Sequence, residues 1–365
     1  MTSSANGQES DRLEAVRAKL DEWQVDGVLI GSPSNRRWLS GFSGSAGWLL
    51  VTRDKALLGT DFRYWEQAAD QAPSFELVKL EGMPAQSLPP FIASVGARRF
   101  GLEAKHITLD QFKTLEKADG VEWVQLENSL EALRAVKTAE ELDAIRRAAA
   151  ITDFAMSLVP ALARPDMSEK ELAWQLEKAM REQGASSMAF EIIVAAGPNG
   201  ARAHHQPGPR PLAAGDPIIV DMGAELDGYS SDLTRTFYLG SEPDERFREI
   251  YATVQQAEQA ALGVMRAGMN GKEIDALARD LIAAAGYKEN FGHSLGHGVG
   301  LQVHEEPRLS HLADEEPLPA GAVVTVEPGI YISGWGGVRL EDLTLLTADG
   351  VELLSHAPQE PAIPF

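Results

Sequence analysis

Six of the eight histidines fall between His204 and His311, in a stretch that also sets acids inside apolar runs. Imidazoles and carboxylates gathered in one region are the chemistry of a metal site. Asp221 interrupts the apolar run Ile218-Ile219-Val220-Asp221-Met222-Gly223. An acid in such a strand is costly unless something pairs with it. Asp232 follows eleven residues later in Ser230-Ser231-Asp232-Leu233-Thr234. Between them Asp227-Gly228 is a hairpin turn signal, so antiparallel pairing is expected to set Asp221 beside Asp232. Val326-Glu327-Pro328-Gly329 and Val338-Arg339-Leu340-Glu341-Asp342-Leu343 repeat the arrangement with Glu327 and Glu341. Four carboxylates are thus expected on one sheet face, where they cannot all ionise without compensation. A pair of cations is the natural compensation. The imidazole candidate is His297, in Ser294-Leu295-Gly296-His297-Gly298-Val299-Gly300, whose glycines allow close backbone approach. Oxygen donors with one imidazole suit Mn²⁺, Co²⁺, Fe²⁺ or Zn²⁺.

The elements that must position these residues divide the 365-residue chain in two, as its length suggests at ~100–200 residues per domain. Residues 1–133 interleave short strands and helices and read as an α/β domain. A helix is expected over Asp11–Trp23 and a strand over Gly27–Ile30. A Gly- and Ser-rich loop is expected from Asn35 to Ser45, then a hairpin of Trp48–Thr52 with Lys55–Leu58. Asp61–Ala72 reads as helix, and Phe75–Leu80, Arg99–Leu102 and Val121–Gln125 as strands. Thr138 with Glu141 forms a capping box that opens the second domain, residues 134–365. That domain contains a repeat. Asp166-Met167-Ser168-Glu169-Lys170-Glu171-Leu172 aligns with Gly268-Met269-Asn270-Gly271-Lys272-Glu273-Ile274, 102 residues on. The strands holding Asp221 and Glu327 align in turn. Each copy reads helix, helix, strand, hairpin, so two halves are expected about a pseudo-two-fold axis.

Composition excludes several classes. Acids outnumber bases 54 to 33, and a net charge of −21 argues against nucleic-acid or anionic-membrane partners. No apolar run approaches the ~20 residues of a membrane span, and the polar first twenty residues show no signal-peptide pattern. With no cysteine there is no thiol nucleophile or Cys-ligated metal, and a cytoplasmic setting is expected. Gly41-Phe42-Ser43-Gly44-Ser45 is not a Gly-x-Ser-x-Gly elbow, because its last position is Ser45, and no Gly-x-x-x-x-Gly-Lys-Ser/Thr phosphate loop is present.

Asp221, Asp232, His297, Glu327 and Glu341, with their flanking Gly and Pro residues, resemble the ligand set of the pita-bread metallopeptidases. This is the family of methionine aminopeptidase, aminopeptidase P and prolidase. The likeness covers roughly residues 137–355. Asn35–Ser45 and Asp61–Ala68 are similar to segments of the Xaa-Pro peptidases, whose creatinase/prolidase-like N-terminal domain precedes an α+β pita-bread catalytic domain.

The resemblance implies two divalent ions, Mn²⁺ or Co²⁺ ahead of Zn²⁺ or Fe²⁺, and peptide substrates with proline second. It implies that Asp221 chelates one ion, that His297 and Glu327 bind the other, and that Asp232 and Glu341 bridge. Glu327, His304 and His204 take catalytic places, with His205 a rival to His204. At this loop the family's Leu-Pro-His is replaced by Arg202-Ala203-His204. His293 and Arg339 match positions near the substrate. A carboxylate-capturing cation is expected among Arg36, Arg37, Arg202 and Arg339. The leading expectation is a homodimeric Xaa-Pro aminopeptidase. An Xaa-Pro dipeptidase is the alternative, and a metal-free creatinase-like hydrolase or non-catalytic relative stands further off.

Overall fold

The computed structural model describes residues 2–365. The chain divides into two compact units, one ending at Arg134 and one running from Ala135 to Phe365. No helix among the described residues is long and apolar enough to cross a membrane.

The first unit opens with α1 (Thr2–Glu22), β1 (Gly27–Ile30), α2 (Pro33–Ser40), β2 (Trp48–Thr52) and β3 (Ala56–Thr60). It continues through α3 (Trp65–Gln71), β4 (Glu76–Lys79), α4 (Pro84–Ala93), β5 (Arg99–Glu103), α5 (Leu109–Leu115) and β6 (Glu122–Leu126). The chain leaves through α6 (Glu131–Ala135). The strands form one mixed sheet ordered β4-β3-β2-β1-β5-β6. Two expectations are corrected here. The first helix begins at Thr2 rather than Asp11, because its polar first turns carry no apolar stripe to read. Residues 35–40 are helix rather than loop, because Ser32 caps the Asn35 N–H and Pro33 occupies the first turn.

The second unit is built twice. Its first half contains α7 (Ala139–Ser157), α8 (Val159–Leu162), α9 (Glu169–Glu182), β7 (Ser187–Met188), β8 (Ile193–Ala196), β9 (Pro217–Met222), β10 (Ala224–Leu226), β11 (Tyr229–Ser230) and β12 (Leu233–Leu239). Its second half contains α10 (Glu245–Leu262), α11 (Gly271–Ala284), β13 (Gly296–Gly298), β14 (Glu305–Leu309), β15 (Val323–Val326), β16 (Gly329–Ile332), β17 (Gly336–Arg339), β18 (Asp342–Leu346), β19 (Val351–Leu353) and β20 (Ala362–Ile363). The inner helices α9 and α11 start at repeat-related capping boxes, Ser168/Glu171 and Asn270/Glu273. The two cap residues make matching isolated bridges, Ser168 to Pro211 and Asn270 to Pro317. Each half has its own apolar core, one around Leu172, Leu176 and Val220, the other around Ile274, Ala278 and Val326.

Three of the four acids lie where ladders break, and the expected register is corrected. In the β9–β12 ladder Asp221 faces Thr234, not Asp232. The Asp227-Gly228 turn closes a separate hairpin, β10 with β11, that consumes the intervening residues. In the second half Val326 faces Asp342 and Gly329 faces Arg339, so Glu327 and Glu341 sit between two ladders. Of the four acids only Asp221 lies within a strand, while Asp232, Glu327 and Glu341 lie between strands, so the four do not share one sheet face.

A buried charged cluster supports the second break. Arg235 donates to Asp342 Oδ1 at 2.7 Å and to the Glu341 carbonyl at 2.6 Å. Glu258 on α10 is fully buried; its Oε2 accepts from Gln359 at 2.7 Å, and its Oε1 has no hydrogen-bond partner among the described residues. Burial first, then the Asp342 charge, push the Glu258 carboxyl up to about 8. The folded state thus keeps a proton that the unfolded chain, with a glutamate pKa of ~4.3, has released. The associated stability is complete below that unfolded value and is lost as pH rises towards 8. Glu258→Gln is expected to stabilise the protein relative to wild type, with a gain that grows by about 3.5 kcal/mol between pH 5 and pH 8. Urea unfolding at both pH values checks this; a pH-independent difference would contradict it.

Candidate metal centre

Asp221, Asp232, His297, Glu327 and Glu341 line one cavity of about 490 Å³. His204, His205, His293, His304, Arg308 and Arg339 line it too. His297 reaches it from the three-residue strand β13. A Cβ on Gly296 would lie 2.0 Å from the Thr325 carbonyl oxygen, so only glycine lets this strand lie against β15. The Thr325 hydroxyl accepts the His297 N–H at 3.1 Å, and His297 Nδ1 lies 3.2 Å from the Gly298 carbonyl. With Nδ1 so occupied, Nε2 turns to the acids, 3.3 Å from Glu327 and 3.7 Å from Asp232. One donor atom each from Asp232, His297 and Glu341 lies within 4.8 Å of the others.

The acids are held from behind. Thr234 donates to Glu341 Oε2 at 2.7 Å. Arg339 donates to Asp221 Oδ2 at 2.6 Å, to the Thr234 hydroxyl at 3.1 Å and to the Tyr331 hydroxyl at 2.8 Å. Tyr331 also meets His293 Nε2 at 2.8 Å. Arg339, expected near the substrate, thus has most of its donors engaged by the protein.

Charge is unbalanced. Burial, then the neighbouring carboxylates, hold Asp232 and Glu341 well above the usual carboxylate range. Burial also raises Asp221, although Arg339 opposes it. Burial alone would raise Glu327, but the His297 bond and charge outweigh it and bring the group to about 2. Asp221 Oδ1 is buried without a hydrogen-bond partner among the described residues. An orphaned carboxylate oxygen amid four acids and one imidazole fits divalent cations of the Mn²⁺ or Co²⁺ kind.

The other histidines have distinct surroundings. The His304 ring lies 4.1 Å from that of His297. Partial burial, then the charges of His297 and His204, push His304 down to about 4, so it is neutral at pH 7. His205 Nε2 is tied to Glu169 Oε2 at 2.8 Å, and both His204 and His205 line the cavity. Arg37 is on α2 of the first unit, outside the lining residues, as is Arg202. Arg36 is buried and donates to the carbonyls of Gly44 and Gly47 at 2.5 and 2.8 Å. Sequence reasoning passed over Tyr331 and Arg308. Arg308 is exposed, lines the cavity and follows His304 by four residues on β14; that spacing was the signal available.

Residues 143–348 match the model of metallopeptidase family M24, and residues 12–136 that of the creatinase/prolidase N-terminal domain. The chain belongs to metallopeptidase family M24. An Xaa-Pro dipeptidase of Pyrococcus furiosus is 35% identical over 96% of this chain and 99% of its own length. The solved Xaa-Pro dipeptidase from Bacillus anthracis is 38% identical, with a TM-score of 0.94 over 97% of this chain and 99% of that one. An X-Pro aminopeptidase from Thermotoga maritima is 33% identical, with a TM-score of 0.87 over 96% and 100%. The family M24 protein is therefore a peptidase with a creatinase-like N-terminal domain and a pita-bread catalytic domain, and the family uses divalent metal.

The pairing of Arg339 with Asp221 generates a test. Removing one partner of a buried ion pair strands the other, at a cost of roughly 3–5 kcal/mol. Arg339→Met is expected to lower the metal-free protein's stability by about that amount, and Asp221→Asn in the same background to recover most of it. Denaturant titration of the single and double variants checks the cycle; additive losses would contradict it.

Proposed function

We propose that this protein hydrolyses the bond between a first residue and a following proline, with Xaa-Pro dipeptides as its main substrates. The reading takes residues 1–133 and 134–365 as its domains, two divalent ions (Mn²⁺ or Co²⁺ ahead of Zn²⁺ or Fe²⁺) as cofactor, and a cytoplasmic homodimer as its setting. The observation that carries it is the cavity, where Asp221, Asp232, His297, Glu327 and Glu341 share a wall with an exposed cation, Arg308. Its volume, about 490 Å³, is that of an ordinary small-ligand site, typically ~300–1,000 Å³. A dipeptide presents a free carboxylate beside its scissile bond, and Arg recognises carboxylates bidentately. Arg308 thus fills the role expected of Arg36, Arg37, Arg202 or Arg339. The dipeptidases of Pyrococcus furiosus and Bacillus anthracis support this choice. Likeness to the Thermotoga maritima aminopeptidase favours a second reading, cleavage of longer Xaa-Pro peptides.

Asp221, Asp232, His297, Glu327 and Glu341 would hold the ions, which supply Lewis acidity and a water made nucleophilic at neutral pH. Ionised Glu327 takes the nucleophile's proton and delivers it to the proline nitrogen, which leaves only when protonated. Neutral His304 donates to the oxygen that gains charge at the scissile carbonyl. His204 and His293 orient the peptide, and Arg308 holds its carboxylate.

Chelation is expected to abolish turnover of an Xaa-Pro dipeptide and Mn²⁺ or Co²⁺ to restore it. Full turnover by verified metal-free protein would overturn the metal assignment. Glu327→Ala is expected to lose at least ~10³-fold in kcat with the fold intact, as measured by steady-state kinetics and circular dichroism. The dipeptide is expected to exceed a matched Xaa-Pro-Yaa tripeptide in kcat/KM. Arg308→Ala is expected to raise the dipeptide KM about tenfold. A tripeptide preference left untouched by Arg308→Ala would install the aminopeptidase reading instead.

A further inference from the structure

We propose that Glu169, which lies outside the cavity, is a positioning residue that holds the His204–His205 turn in the shape that receives the peptide. This inference deepens the peptidase reading and rests on it. Glu169 opens α9 and is fully buried. A carboxylate at such depth is costly unless hydrogen-bonded, and Glu169 accepts four bonds. Oε1 takes the Ala196 N–H and the Asn199 amide, each at 2.9 Å. Oε2 lies 2.8 Å from His205 Nε2 and takes the Gly208 N–H at 3.1 Å. One side chain thereby gathers both ends and the middle of the segment 196–208. The backbone of α9 adds two ties, Glu169 N–H to the Arg210 carbonyl and Lys170 N–H to the Gly208 carbonyl, both at 3.1 Å. At the crest, Arg339 approaches the Ala203 carbonyl at 3.3 Å, and the next residue, His204, lines the cavity.

The other half solves the same problem one helical turn further on. Gly271 of α11 matches Glu169 in the repeat, and a Cβ there would lie 2.0 Å from the Arg308 carbonyl oxygen. Strand β14 fills the space an acid would need. Asp275 takes over: it accepts the Leu295 N–H at 3.0 Å and pairs with Arg279, which donates to the His293 carbonyl at 2.7 Å. Each inner helix thus anchors one loop that brings a histidine to the cavity.

Glu169→Gln keeps the side chain's size but sets an amide against the Gly208 N–H or strips Oε1 of its donors. Amide exchange across residues 196–208 is expected to quicken at least ~10-fold, with bound metal per chain unchanged. The KM for an Xaa-Pro dipeptide is expected to rise about tenfold, with kcat falling less than threefold. In a His204→Ala background the same substitution is expected to leave KM unmoved. Unchanged exchange over 196–208, or an equal KM effect with and without His204, would overturn the proposal. Should Glu169→Gln fail to fold, His205→Asn carries the same test, because it removes the ring contact and leaves the other three donors. If wild-type protein cleaves no Xaa-Pro substrate, the peptidase reading fails, and the exchange measurement still decides whether Glu169 anchors the turn.

Discussion

Mutual repulsion among buried carboxylates governs the second unit. Asp221, Asp232, Glu327 and Glu341 share a cavity in which Arg339 is pinned to Asp221 and the imidazole of His297 meets Glu327, while Arg308 lies exposed on its wall. That is too little charge for four acids at low dielectric, and Asp232 and Glu341 bear the imbalance. Much of the surrounding construction keeps these groups apart from water and close to one another. Thr234 fixes Glu341, Thr325 lies between His297 and Glu327, and the Arg235 cluster braces the chain at Glu341 and Asp342. Cations complete such a structure.

The duplicated architecture explains how the acids meet. A strand interior offers its side chains to packed faces, where a charge is expensive. Breaks between ladders free backbone and side chain together. Glu327 and Glu341 occupy such a break, and Asp232 sits between the small β10–β11 hairpin and β12. The inner helices, started by matched capping boxes, then hold the histidine-bearing loops from the other side.

Much of the candidate site was legible because its residues violate local expectation. Asp221 stands in an apolar strand, His297 stands between glycines, and the repeat links Asp221 to Glu327. Pairing register was harder to read. The Asp-Gly turn is a strong hairpin signal, but it belongs to an inner hairpin rather than to the strands that hold the acids. Contacts built by tertiary folding had no local signature at all. Nothing near Tyr331 announces its bonds to His293 and Arg339, and nothing near Glu169 announces four donors converging on it. In the first unit the Gly and Ser content of residues 35–45 masked a capped helix, since capping depends on Ser32 and Pro33 upstream.

The bonds that steady the acids pass between the two halves. Thr234 of the first half serves Glu341 of the second, and Arg339 of the second serves Asp221 of the first. Thr236 and Arg339 exchange a further reciprocal pair, 2.8 and 3.0 Å. Neither half owns a complete ion pocket. An ancestor consisting of a single half would have met its missing partners only on a second copy of itself. Joined in one chain, the two halves differ in what they offer the cavity: one presents His204 and the other presents His293, His297 and His304.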